Sequence, residues 1–282
     1  MTVTTNATAG AALKGTGLRL GYGERTVAEE LDLDIPAGRV TALVGPNACG
    51  KSTALRALAR LLKPTAGTVH LGDEDIAGLG ARDLALKLSL LPQSPAAPDG
   101  ITVRDLVARG RTPHQRWWRQ WSSADDAVVD RALDATGTTE LADRGLDELS
   151  GGQRQRVWIA MALAQDTPVL LLDEPTTYLD LAHQVDVLEL VAALNREDGR
   201  TVVMVLHELN LACRYADHLV AMRAGRVVAA GPPGEIVTPD LVREVFDLPA
   251  TVITCPVAGT PLVIPEGGRR PRVPGPKAGD TA

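Results

Sequence analysis

Three unbroken apolar runs punctuate the chain: Val40-Thr41-Ala42-Leu43-Val44, Pro168-Val169-Leu170-Leu171-Leu172 and Thr201-Val202-Val203-Met204-Val205-Leu206. None alternates apolar with polar, so each reads as a buried strand, and the second as one buried on both faces of a parallel sheet. After the first run the period changes. Apolar residues at 54, 55, 58, 61 and 62 have helical spacing, which predicts a helix over 52–62. Arg154–Ala164 is helical in pattern too, and closes a mostly polar, helical insert over 93–165. Ala224–Pro233 reads as a hairpin strand with a turn behind it. These elements predict an α/β chain, with a β-rich region in 15–92 and strands and helices again in 166–250. The single domain is expected at 15–265. Residues 1–14 read as a loose leader. Residues 266–282, rich in Gly and Pro with little apolar content, read as a flexible tail.

Chemistry gathers where the apolar runs end. Gly45-Pro46-Asn47-Ala48-Cys49-Gly50-Lys51-Ser52 fits G-x-x-x-x-G-K-[ST] between a strand and a helix, the context that pattern requires. Its amides, Thr53 included, sit at a helix N-terminus and suit phosphates. Lys51 is expected at the β- and γ-phosphates and the Ser52 hydroxyl at Mg²⁺. Asp173 and Glu174 follow the second run. Ligands bind beyond the carboxyl ends of parallel strands, which brings both acids to the nucleotide. Asp173 is expected to hold the metal and Glu174 to act as general base. Taken alone, the pair also fits a strand that merely ends in solvated acids. Leu149-Ser150-Gly151-Gly152-Gln153 precedes a helix and makes a second anion site at a helix N-terminus.

The Ser150 motif follows Lys51 by 99 positions, and Asp173 follows Gln153 by twenty. In that order and spacing the chain resembles the ATP-binding cassette family, in the form of a transporter's nucleotide-binding subunit. The resemblance implies a P-loop NTPase cassette with a mostly parallel core sheet, an N-terminal antiparallel β subdomain and an inserted α-helical subdomain. It implies ATP hydrolysis, with ATP and Mg²⁺ as cofactors. Gln93 takes the family's position for a residue that contacts Mg²⁺ or water and reports to the transport partner. His207 takes that of a histidine at the γ-phosphate and attacking water; a lone histidine after a strand also fits a structural place. Tyr22 takes that of an aromatic stacked on adenine, or else packs as an edge-strand tyrosine on a turn. Asp180 in Tyr178-Leu179-Asp180 matches a loop that crosses the dimer interface, and equally a helix N-cap. One position departs from the family pattern: Ala48 stands where a second glycine is usual, at a place suited to positive φ.

In the family, the Ser150 motif closes on the γ-phosphate held by a partner chain. With one phosphate loop and one such motif in 282 residues, the expected unit is a homodimer sandwiching two ATP molecules. The expected further partners are permease subunits and, through them, an extracytoplasmic substrate-binding lipoprotein. Residues 15 to about 265 resemble the iron-siderophore, haem and cobalamin importer group, and most closely the ferric-siderophore ATPases. The stretches that carry this include Gly100–Arg111, Pro113-His114-Gln115, Glu174–Gln184 and Leu206–Ala212. Haem or cobalamin cargo stays open. So does a soluble cassette ATPase of the repair or translation type, although repair cassettes expect hundreds of residues between the two motifs and translation factors expect two cassettes.

Composition narrows the classes further. A net charge of −6 supplies no basic field for nucleic acid. Arg116-Trp117-Trp118-Arg119-Gln120-Trp121 mixes bases with aromatics, and reads as a permease contact or subdomain edge rather than a stacking platform. The three cysteines and five histidines show no metal-ligand spacing. No apolar run approaches the roughly 20 residues that span a bilayer. The expected location is the cytoplasmic face of the membrane, reached through partners.

Overall fold

The computed structural model describes residues 11–115, 121–177 and 179–267. The parts of the tails beyond these limits, Arg116–Gln120 and Tyr178 lie outside the described residues. In chain order the elements begin with β1 (Ala11–Tyr22), β2 (Arg25–Pro36), β3 (Val40–Val44), α1 (Lys51–Leu58), β4 (Ala66–Leu71) and β5 (Glu74–Asp75). Then come α2 (Ala81–Ala85), β6 (Leu88–Leu91), α3 (Val103–Ala108), α4 (Ser123–Ala135) and α5 (Gly151–Ala164). The chain continues through β7 (Val169–Asp173), α6 (Leu181–Asp198), β8 (Thr201–Val205), α7 (Leu209–Tyr215), β9 (His218–Arg223) and β10 (Arg226–Gly231). It closes with α8 (Pro233–Ile236), α9 (Pro239–Phe246), β11 (Ala250–Thr254) and β12 (Pro261–Pro265).

The core sheet runs β10-β9-β3-β8-β7-β6, parallel throughout except for the β9–β10 edge. A second, antiparallel sheet runs β2-β1-β4-β5. Every residue of β3, β7 and β8 is buried, for a reason visible in the packing. Leu43, Leu171 and Val203 point to one side, where Leu55 and Leu58 of α1 and Leu18 and Leu33 of the antiparallel sheet meet them. Ala42, Leu170, Leu172 and Met204 point to the other, against Val157 and Ile159 of α5 and Val187 and Val191 of α6. Burial on both faces removes any pressure for alternation, which is why these strands read as continuous apolar runs. Each fully buried Leu or Val there is worth about 1.5–3 kcal/mol.

The structure moves several predicted boundaries. β1 begins at Ala11, inside the expected leader, because Leu13 is fully buried and pairs with Ile35 and Leu71 across its two neighbours. α1 stops at Leu58, well short of Leu62. Arg60 adopts φ 57°, the Leu61 amide bonds back to the Arg56 carbonyl, and the Arg60 amide bonds to that of Ala57. That pair of bonds is a Schellman stop, with arginine at the left-handed position. Arg60 is held there by its guanidinium, which donates to the Ile76 and Leu79 carbonyls. α5 begins at Gly151 rather than Arg154, so both glycines lie in its first turn. The β9–β10 hairpin turns in front, at Ala224 and Gly225, with φ of 48° and 76°. Two consecutive positive φ values match the twist of tight hairpins. The insert is helical as expected, and Trp121 Nε1 donates to Asp126 in the first turn of α4.

Candidate nucleotide site

Parallel register assembles the site. Leu43, Val205 and Asp173 lie side by side across β3, β8 and β7, and Leu91 of β6 pairs with Leu172. Gly45 and His207 each come two residues after their strand's member of that line, and Gln93 comes two residues after Leu91. The carboxyl ends of four adjacent strands thus deliver the phosphate loop, His207, the two acids and Gln93 to one place. There a cleft of ≈ 410 Å³ is lined by Tyr22, Arg25, Asn47, Lys51, Glu174 and His207, together with Val27, Ala48, Gly50, Ser52, Thr53 and Gln93.

The loop's shape depends on residues that tolerate positive φ. Gly45, at φ 149°, leaves β3 so close to β9 that a β-carbon would stand 2.1 Å from the Met222 carbonyl oxygen. Gly50, at φ 110°, is the N-cap of α1. Ala48 holds φ 60°, the left-handed conformation inferred for that position. Lys51 is 5% exposed, and its Nζ donates to the carbonyls of Gly45 at 2.8 Å and Pro46 at 3.0 Å. Beneath the loop, Cys49 is buried in the core between the sheets, and burial pushes its thiol pKa up. Only its backbone belongs to the loop surface.

The two acids have opposite surroundings. The Asp173 side chain is 1% exposed, and neither of its oxygens has a hydrogen-bond partner. Burial pushes its pKa up and the neighbouring Glu174 adds to the rise, against Ser52, Arg56 and Lys51. The Arg56 guanidinium stands 3.8 Å away, beyond hydrogen-bond reach. A buried carboxylate with orphaned oxygens next to a serine hydroxyl is a donor set suited to a hard divalent cation. Glu174 holds φ 55° and has its carboxylate engaged on both oxygens. Oε1 is 2.7 Å from His207 Nε2; Oε2 accepts from Gln93 Nε2 at 2.5 Å and Thr177 Oγ1 at 3.0 Å. The facing carboxylate assigns the proton of the His207 ring to Nε2.

Sequence reasoning missed four of these residues. Arg25 and Val27 enter the cleft because β2 pairs with β1 directly after the Tyr22 turn. Arg56 lies one helical turn beyond Ser52, and its Nη1 donates to the Tyr22 hydroxyl at 3.3 Å. Thr177 returns to Glu174 through a turn closed by its own amide. Only Thr177 left a local signal, its three-residue spacing from Glu174.

The second anion site lies elsewhere. None of Ser150, Gly151, Gly152, Gln153 and Asp180 lines the cleft. Ser150 caps α5 reciprocally: its Oγ accepts from the Gln153 amide at 3.3 Å, and Gln153 Oε1 accepts from the Ser150 amide at 3.1 Å. The Ser150 hydroxyl proton is left free to donate outward. Asp180 caps α6, accepting from the His183 amide and ring, which together hold its carboxyl below the ordinary range. The N-cap reading of Asp180 is therefore realised in this chain.

A family model described as ABC transporter matches residues 28–177. The chain is 54% identical over 261 residues to the ferric enterobactin transport ATP-binding protein FepC of Escherichia coli (strain K12), covering 93% of this chain and 96% of that one. It is 53% identical over 259 residues to the probable siderophore transport system ATP-binding protein YusV of Bacillus subtilis (strain 168), covering 92% and 94%. Among solved structures it resembles the dimeric bacterial ABC transporter cassette MJ0796, with a TM-score of 0.68, 29% identity and coverage of 78% and 98%.

Proposed function

This chain belongs to the ABC transporter family, and on that premise we propose that it is the ATP-hydrolysing subunit of an importer that draws ferric siderophores through a membrane permease. It is an ATPase that binds ATP. The cargo reading rests on relatives more than half identical over nearly the whole chain, one named for siderophore transport and one for ferric enterobactin transport.

The observation that carries the chemistry is the Glu174 carboxylate. An ionised carboxylate offers about four lone-pair sites. Gln93, Thr177 and His207 fill three, which leaves one, oriented by the others, for an attacking water. Glu174 takes the water's proton as the oxygen bonds to the γ-phosphorus, and the bond to the β,γ-bridging oxygen breaks to release ADP. Lys51 and the amides of Gly50–Thr53 hold the phosphates. Tyr22 offers its ring to the base. Ser52, Asp173 and Gln93 would hold Mg²⁺, which when bound neutralises charge on the phosphate oxygens.

The working unit is a head-to-tail pair of this chain, each copy offering Ser150 and α5 to the γ-phosphate in the other's cleft. Three features support this: Ser150 and Gly151 are exposed, they stand apart from the chain's own cleft, and Leu181 beside Asp180 is 70% exposed. Among the described residues no helix is long and apolar enough to cross a membrane. In this reading the chain is held at the cytoplasmic face by the permease, which a substrate-binding lipoprotein loads from outside.

Glu174→Gln tests the catalytic role. It keeps the side chain's shape and removes the base, so turnover should fall at least about 100-fold. ATP should still bind, and the particle's mass should double by light scattering. Near-native turnover would remove Glu174 from the role of base, and a variant that stays monomeric with ATP would contradict the paired unit. Lys51→Ala should lose ATP binding itself.

A further inference from the structure

The two glycines at the start of α5 are not equivalent. Nothing lies within 4 Å of a β-carbon built on Gly151. One built on Gly152 would stand 2.3 Å from Cδ2 and 2.8 Å from Cγ of His183. Non-bonded carbons settle at about 3.5–4.0 Å, so any side chain here must displace the ring or the helix. The ring is tethered. Its Nδ1 lies 2.7 Å from Asp180 Oδ1, and the same oxygen accepts the His183 amide at 3.0 Å. The facing carboxylate assigns the proton to Nδ1. One imidazole therefore touches the first turn of α5, capped by Ser150, while hydrogen-bonded to the cap of α6.

We propose that His183 is a positioning residue that locks the N-terminus of α5 to that of α6, and that position 152 is glycine in order to admit its ring. The lock makes Ser150 and Asp180 move as one piece. Its catalytic consequence rests on the paired unit proposed above, in which Ser150 meets the partner's γ-phosphate while Asp180 lies at the interface of the pair. A loosened α5 would leave this chain's own cleft intact and would misplace Ser150 against the other.

The test is a cycle of four full-length chains: native, Gly152→Ala, His183→Ala and the double variant. ATP hydrolysis gives kcat and KM, a fluorescent ATP analogue gives the affinity of the chain's own cleft, and melting temperatures are taken without nucleotide. Gly152→Ala should lower kcat at least about tenfold and lower the melting temperature, with cleft affinity changed less than about twofold. His183→Ala alone removes the lock and should lower kcat severalfold with cleft affinity unchanged, and native kcat in that variant would overturn the proposal. In the double variant the methyl finds room, so most of the melting temperature lost in Gly152→Ala should return while kcat rises no higher than in His183→Ala. A double variant as unstable as Gly152→Ala would overturn the proposal, because the glycine would then be needed against something other than His183. A Gly152→Ala chain with native kcat would overturn it as well. If Glu174→Gln stays monomeric with ATP by light scattering, the paired unit fails, and recovery of the melting temperature alone still decides whether the contact between His183 and position 152 exists.

Discussion

Ala48 and Glu174 hold φ values of 60° and 55°, a region that costs a residue bearing a β-carbon about 1–2 kcal/mol. At Glu174 three hydrogen bonds fix the side chain and hold the backbone where it is. Ala48 has no such tether, so Ala48→Gly should relieve the strain. After the entropy glycine adds to the unfolded chain, the net gain in unfolding free energy should be about 0.5–1 kcal/mol. ATP affinity should change less than about threefold, because the loop already has its shape with alanine present. A larger gain in affinity would mean that alanine distorts the loop. Asp173 carries the opposite trade. Folding raises its pKa above the ordinary 3.8, so the metal-free fold loses stability as pH climbs from there to the raised value. Asp173→Asn lacks that loss. The stability gap between variant and native, measured by denaturant titration, should widen over that range, then level off, and be accompanied by loss of Mg²⁺-dependent turnover. At this scale the phosphate loop and the two acids were legible because each is contiguous with a recognisable strand, while Gln93 and His207 were placed only by the family resemblance. Arg56 and Arg25 were not, since what they reach depends on how separate segments pack.

At the scale of elements, buried strands announced themselves through their composition, and ends did not. α1 ends because Arg60 is held left-handed by carbonyls from Ile76 and Leu79, and no periodicity of the helix carries that. The C-terminal hairpin β11–β12 was likewise unanticipated. It docks through Asn210 of α7, whose side-chain amide takes both hydrogen bonds of the Val263 backbone, at 3.1 and 2.8 Å. The far end of α5 shows a similar device. Arg111 pairs with Asp125 at 2.9 Å, both nearly buried, and caps the Ala164 carbonyl at 2.8 Å. Burial works to raise the Asp125 pKa, and hydrogen bonds from Ser122 and Arg111 outweigh it, leaving the carboxyl below the ordinary range. The pair therefore stays intact as pH falls, until that lowered pKa is passed. Arg111→Met should cost about 3–5 kcal/mol by leaving Asp125 uncompensated, and adding Asp125→Leu should recover most of it. Equal losses in the single and double variants would mean that the Ala164 cap, not the ion pair, is what matters.

For the whole molecule, the arrangement into a parallel core, an antiparallel sheet and a helical insert was legible through the family resemblance that motif order and spacing carry. Under the proposed function the motifs together make a machine completed by a second copy, since the cleft and the Ser150 helix of one chain stand apart. Under the proposed function neither surface meets the transported molecule, so the cargo is read through kinship and must be read in cells. The deciding measurement is uptake of radiolabelled ferric siderophore by iron-starved cells whose only copy of this chain is native or Glu174→Gln. We expect uptake with the native chain and its loss with the variant, while the permease remains in the membrane. Equal uptake with both would contradict the assignment of this ATPase to siderophore import.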